Sequence, residues 1–205
     1  INELMLKDNI FGVVHGKYIY NFARPRQIDH IEMLIEEMKL ANSIGCNVII
    51  HQGKNLKELK QSNEEAIKNY VENITVLLNK TKSITELSKT KIILENSSRA
   101  GTEMGYSLIE LRKIYDLFSS ENKQRIKFCI DLCHIFVSGE LDMTNINDVK
   151  AFLNEFEQLI GHELLECFHF NDSKSAFGSH NDHHDDIGNG HIGKKSTDGF
   201  SEIVK

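Results

Sequence analysis

Two kinds of apolar pattern alternate along the chain. Short runs rich in Val, Ile, Leu and Phe occupy residues 10–15, 47–51, 91–95, 126–131 and 166–170. Their length and β-branched content predict strands, and their unbroken apolarity predicts burial on both faces. Between them lie stripes at helical spacing. Residues 27–43 carry Ile28, Ile31, Leu34, Ile35, Met38 and Ala41 on one face, with Gly45 as a stop signal. Ser62 and Glu65 are spaced as a capping box before Ile67, Tyr70, Val71, Ile74, Leu77 and Leu78. Ser107 and Glu110 repeat that spacing before Leu111, Tyr115 and Phe118. A fourth stripe holds Val149, Phe152, Leu153, Phe156, Leu159 and Ile160, closed by Gly161.

Strands alternating with helices predict an α/β fold with a parallel sheet and βαβ connections. Successive strand ends are about 36–44 residues apart, close to the period of a TIM (β/α)₈ barrel with long loops, which totals ~250 residues. Five strands are found, so a complete barrel would lack about three units. No linker, hinge or internal repeat divides residues 1–205, and one partial TIM-barrel domain is expected.

Each predicted strand ends in a side chain that can bind a metal: His15, His51, Glu95, Asp131 and His169. In a parallel barrel these ends share one face, where active sites are built. One polar strand end is ordinary. Five in succession, all of types that hold Zn²⁺ or Mn²⁺, point to a metal centre. His134 follows Asp131 by three positions, and Asp182-His183-His184 places a carboxylate and an imidazole two apart. Gly188, Gly190 and Gly193 predict a backbone able to approach a ligand closely. No GxxxxGK[ST] phosphate loop and no GxSxG nucleophile elbow is present.

Composition adds bounds. Hydrophobic residues make up 40% of the chain, and no apolar stretch approaches the ~20 residues of a membrane span. No signal peptide is recognisable in INELMLKDN. The chain does not begin with Met, so a fragment or processed form is expected. The net charge of −6 weighs against nucleic acid as a partner, unless divalent cations offset part of it. Cys46, Cys129, Cys133 and Cys167 include no CxxC pair. They are expected to be buried free thiols in a reducing intracellular compartment, cytoplasm or nucleus, rather than disulfides or thiolate ligands.

Five segments, in order, resemble the endonuclease IV family of zinc-dependent apurinic/apyrimidinic endonucleases: HGKYIYN, VIIHQGK, ILENSSRAGTEMG, CIDLCHIFVSG and HFNDSK…GS…DHHDDIGNGHIG. The resemblance spans essentially the whole chain and implies a TIM barrel with three zinc ions held by nine ligands, manganese being possible at one site. His15, His51 and Glu95 would hold one ion. Glu95 would bridge to a second, shared with Asp131 and His169, and His134, Asp182 and His184 would hold the third. In the family the ninth ligand is a glutamate on the last strand, which would fall beyond Lys205, and the family's first two βα units would likewise fall outside residues 1–205. The implied reaction is hydrolysis of the phosphodiester 5′ to an abasic site in duplex DNA, leaving a 3′-hydroxyl, with Glu95 orienting the attacking hydroxide. Tyr18 would contact the damaged nucleotide, and Lys17, Lys174 and His183 the DNA backbone, His183 standing where the family has arginine. Arg24, Arg26, Lys194 and Lys195 would add phosphate contacts. The resemblance implies a monomer with no membrane association and no obligate protein partner. Two other readings stay open: a metal-dependent TIM-barrel sugar isomerase or epimerase, and a metal-binding fragment without activity.

Overall fold

A computed structural model describes residues 2–205. Five parallel strands form one sheet in chain order: β1 (Val13–His15), β2 (Asn47–Ile50), β3 (Ile92–Glu95), β4 (Ile126–Asp131) and β5 (Leu165–His169). His15 pairs beside Ile49, Ile50 beside Leu94, and Asp131 beside His169. The main helices are α1 (Asn2–Lys7), α2 (Ile28–Ser43), α3 (Asn63–Lys82), α4 (Leu108–Asp116), α5 (Ser120–Lys123), α6 (Leu132–Val137), α7 (Ile146–Leu159) and α8 (Asp198–Ile203). A two-stranded antiparallel ribbon, β6 (Asp172–Ser173) with β7 (His184–Asp185), follows β5. The chain resolves into two compact units, Ile1–Leu94 with Ile114–Lys127, and Glu95–Lys113 with Phe128–Lys205.

In the first unit the predicted stripes bury as expected. Helix α2 covers Ile31, Leu34, Ile35, Met38 and Ala41. Ile28, expected on that face, is instead exposed because it opens the first turn. Helix α3 buries all six predicted apolar residues and starts from the predicted capping box, with both Ser62 and Glu65 bonds made. Each such buried aliphatic side chain contributes roughly 1.5–3 kcal/mol. Buried Asn73 on α3 ties down the loop after β1. Its Nδ2 donates to the Phe22 and Arg24 carbonyls at 2.9 and 2.7 Å, and its Oδ1 accepts from the Gln27 amide at 3.0 Å. Arg125 is held similarly by the carbonyls of Leu78, Leu87 and Thr90 at 2.8–3.1 Å.

In the second unit Val149, Phe152, Phe156 and Ile160 are buried along α7, while Leu153 and Leu159 are half-buried. The second predicted capping box is made on one side only. The Ser107 hydroxyl accepts from the Glu110 amide, but the Glu110 carboxylate turns to the Gly105 amide. Burial of the strands is also uneven. Strands β2, β3 and β4 are almost wholly buried, whereas the first and last in the order, β1 and β5, are half-exposed. These two stand at the ends of the strand order.

Candidate metal centre

Each of the five strand-end residues predicted from sequence stands where expected. His15, Glu95, Asp131 and His169 are the last residues of their strands, and His51 directly follows β2. In the first unit the rings of His15 and His51 lie 5.3 Å apart, centroid to centroid. Tyr18 stacks beside them, 5.6 Å from His15 and 6.4 Å from His51, with 87% of its surface exposed. The Nδ1 of His15 lies 2.8 Å from the Gly16 carbonyl. A carbonyl can only accept, so Nδ1 carries the proton and Nε2 is the nitrogen able to bind a metal. Space beside Gly16 is tight: a Cβ would sit 3.1 Å from both the Ile49 carbonyl oxygen and Ile50 Cγ2.

The second unit gathers the remaining six predicted ligands, two of which are deeply buried carboxylates. Glu95 is 1% exposed and Asp131 is fully buried. His169 Nδ1 lies 2.8 Å from Glu95 Oε1 and 3.5 Å from Asp131 Oδ2. His134 Nε2 lies 3.1 Å from Asp182 Oδ2, and His184 Nε2 3.1 Å from Asp182 Oδ1. His134 Nδ1 donates to the Asn96 carbonyl at 2.9 Å, which again directs Nε2 toward the ligand cluster. Ligand atoms of His134, Asp182 and His184 lie within 4.8 Å of one another, as do those of Glu95, Asp131 and His134. Both donor sets suit a divalent cation, and the carbonyl-fixed tautomers of His15 and His134 are those a metal requires.

Local sequence explains this placement. Asp131 is the N-cap of α6: its Oδ1 accepts from the His134 amide at 2.9 Å, which sets His134 one helical turn into the site. Asn96 pairs with the Asp131 backbone in both directions, at 2.7 and 3.2 Å. Asn171 donates to Asp131 Oδ2 at 2.7 Å. Neither asparagine was singled out from sequence, although both sit in the motifs ILENSS and HFND.

The carboxylates reshape the imidazole equilibria. Hydrogen bonding to Asp131, then Glu95, outweighs burial and raises the His169 pKa to about 10. Burial pulls His134 down, but Asp182, Asp131 and Glu95 together outweigh it, and its pKa also rises to about 10. His184 is raised chiefly by Asp182. Burial pushes Asp182 up, but the His134 and His184 rings hold it far below the ordinary carboxylate range. In metal-stripped protein these imidazolium ions take the place of cations. Their stabilisation is complete below the ordinary imidazole value near 6.5 and is lost as pH rises through about 10. Stripped protein is therefore expected to unfold progressively more easily between those values. Adding Zn²⁺ at neutral pH should release protons. Thermal melts across pH and a pH-stat titration check both, and a melting profile that rises over that window would contradict the assignment.

Asp172 is a structural support that sequence patterning missed. It is fully buried, and its two oxygens accept from four backbone amides: Ser173 and Ile192 at 2.7 and 2.9 Å, Gly188 and Gly193 at 2.9 and 3.0 Å. Two glycines of IGNGHIG, Gly188 and Gly193, thus donate to this carboxylate. A Cβ at Gly190 would lie 2.4 Å from Asp172 Oδ1, and one at Gly193 would lie 2.7 Å from Oδ2. The loop so fixed packs back onto the ribbon, where Ser173 pairs with His184.

The predicted DNA-contacting residues are exposed. Lys174 and His183 are joined across the ribbon by a 2.8 Å backbone bond. Lys174 and Lys194 line one shallow depression with His191. Lys17 pairs with Glu37 at 3.0 Å. Arg24, Arg26 and Lys195 face solvent.

Residues 2–198 match the family model described as xylose isomerase-like TIM barrel. The chain belongs to that family. Within it, its relatives are endonuclease IV proteins. It is 35% identical to a protein of Acanthamoeba polyphaga mimivirus named as an endonuclease 4, over 98% of this chain and 65% of that one. It is 31% identical to apurinic-apyrimidinic endonuclease 1 of Saccharomyces cerevisiae, over 87% of this chain and 47% of the relative. The chain thus spans less than two-thirds of the length of these relatives. Among solved structures, endonuclease IV from Thermus thermophilus superposes with a TM-score of 0.77 at 21% identity, covering 99% of this chain and 66% of that one. A D-tagatose 3-epimerase-like protein superposes at 0.70 and 18% identity, covering 99% and 70%. At such identities both show the shared barrel fold. No described helix is long and apolar enough to cross a membrane.

Proposed function

We propose that this chain is a zinc-dependent endonuclease that hydrolyses the phosphodiester 5′ to abasic sites in duplex DNA and leaves a 3′-hydroxyl. The observation that carries the proposal is the linked set Glu95, Asp131, His134, His169, Asp182 and His184. It is found in a chain 31–36% identical to proteins named endonuclease 4 or apurinic-apyrimidinic endonuclease. His15, His51 and Glu95 would hold one zinc. Glu95, Asp131 and His169 would hold a second, and His134, Asp182 and His184 a third, with manganese able to serve at one of them. Bound there, such ions would polarise the scissile phosphate and lower the pKa of the attacking water. The Glu95 carboxylate would orient that water and would be placed to accept its proton. Asn96 and Asn171 keep Asp131 aligned. Tyr18, exposed beside His15, meets the abasic nucleotide, and Lys17, Lys174 and His183 contact flanking phosphates. The four unpaired cysteines support action in a reducing compartment, and the chain would act as a monomer without an obligate protein partner.

Because the net charge is −6, attraction to DNA must come from local basic groups and bound cations. Binding to abasic duplex is expected to weaken steeply with salt, measured by fluorescence anisotropy from low to physiological ionic strength. A flat salt response, with turnover of a ketose, would favour the epimerase alternative.

A further inference from the structure

We propose that Cys129, Cys167 and His169 form a site for a thiophilic metal ion, separate from the carboxylate-rich centre but sharing one imidazole with it. Cys129 and Cys167 are direct partners in the β4–β5 pairing, as are Asp131 and His169. Side chains two apart on a strand share a face, so the thiol pair lies one pleat behind the Asp131–His169 pair. The two sulfurs and a ring nitrogen of His169 lie within 4.8 Å of one another. Cys129 is fully buried, and Cys167 and His169 are half-buried. Two sulfurs and one imidazole form a soft donor set, unlike the oxygen-rich donors of Glu95, Asp131 and Asp182, and soft donors select ions such as Cd²⁺ or Cu⁺. Uptake of Cd²⁺ would form two sulfur–cadmium bonds and release both thiol protons. The chain contains no CxxC spacing, so the pair arises only through strand pairing.

The site rests on these three side chains and stands whether or not the chain cuts DNA. The test is titration of the purified protein with Cd²⁺, followed by the ultraviolet thiolate-to-cadmium charge-transfer band, to which His, Asp and Glu ligands contribute nothing. The band is expected to saturate near one ion per chain. It should disappear in Cys129→Ser and in Cys167→Ser, and persist in Cys46→Ser and Cys133→Ser. Cys133 is the informative control, because it forms its own cluster with Asp131 and His184. Cadmium-113 NMR of the unmutated protein gives a readout independent of variant folding and should show a two-sulfur environment. No band in the unmutated protein, a band surviving loss of Cys129 and Cys167 together, or one lost only with Cys133 would overturn the assignment.

Discussion

Glu95→Gln is expected to lower incision of abasic duplex DNA by roughly 10²–10⁴-fold, the range associated with loss of a positioned acid–base group. The substitution keeps size and shape but removes the charge that would join two cations. Glu95 is almost completely buried and already attracts His169 and His134 at 2.8 and 3.7 Å. Zinc content should fall along with activity. Circular dichroism should stay close to the unmutated spectrum, because the glutamine can still accept from His169. Nicking rate, metal content and spectrum measured on one preparation separate a chemical defect from a folding defect. Near-normal nicking by the variant would remove Glu95 from the proposed mechanism.

Asp172→Ala is expected to destabilise the protein by about 3 kcal/mol or more, since several buried amides would lose their acceptor at ~1–3 kcal/mol each. Asp172→Asn should fall between the two, because one carbonyl oxygen remains. The effect should reach the metal centre indirectly. Asp172 begins the β6 strand whose neighbour Ser173 pairs with His184, so zinc held by His134, Asp182 and His184 should be lost at lower denaturant than the global transition. Urea melts with parallel zinc release measure both effects. An unchanged midpoint for Asp172→Ala would show that the loop does not depend on this carboxylate.

Much of this architecture is legible in the chain because it depends on local period and local caps. The stripes on α2, α3 and α7 are set by spacing alone, and the Ser62–Glu65 box needs only three intervening peptide units. The strand-end His, Glu and Asp side chains are legible for a related reason, since a polar residue ending an apolar run is a short-range signal. What was not legible depends on distant groups. The β6–β7 ribbon pairs two-residue strands across a ten-residue connection without a tight hairpin signal. The demand for an acceptor at Asp172 comes from amides sixteen to twenty-one residues later. The glycines of that loop could be predicted to permit close approach, but not what would approach. The Glu110 carboxylate is a smaller case: the capping spacing is correct, yet the Gly105 amide is the partner the loop presents. The half-exposure of β1 and β5 follows from their places at the ends of the strand order, which composition does not encode.

Incision of a duplex carrying a single abasic analogue by the zinc-loaded protein, with both product ends mapped, tests the proposed activity. The expected result is one nick immediately 5′ to the lesion. It should bear a 3′-hydroxyl that a DNA polymerase extends, and chelator should abolish it until zinc is restored. A duplex left intact by protein shown to hold zinc would rule out the proposed activity, as would nicking indifferent to chelator.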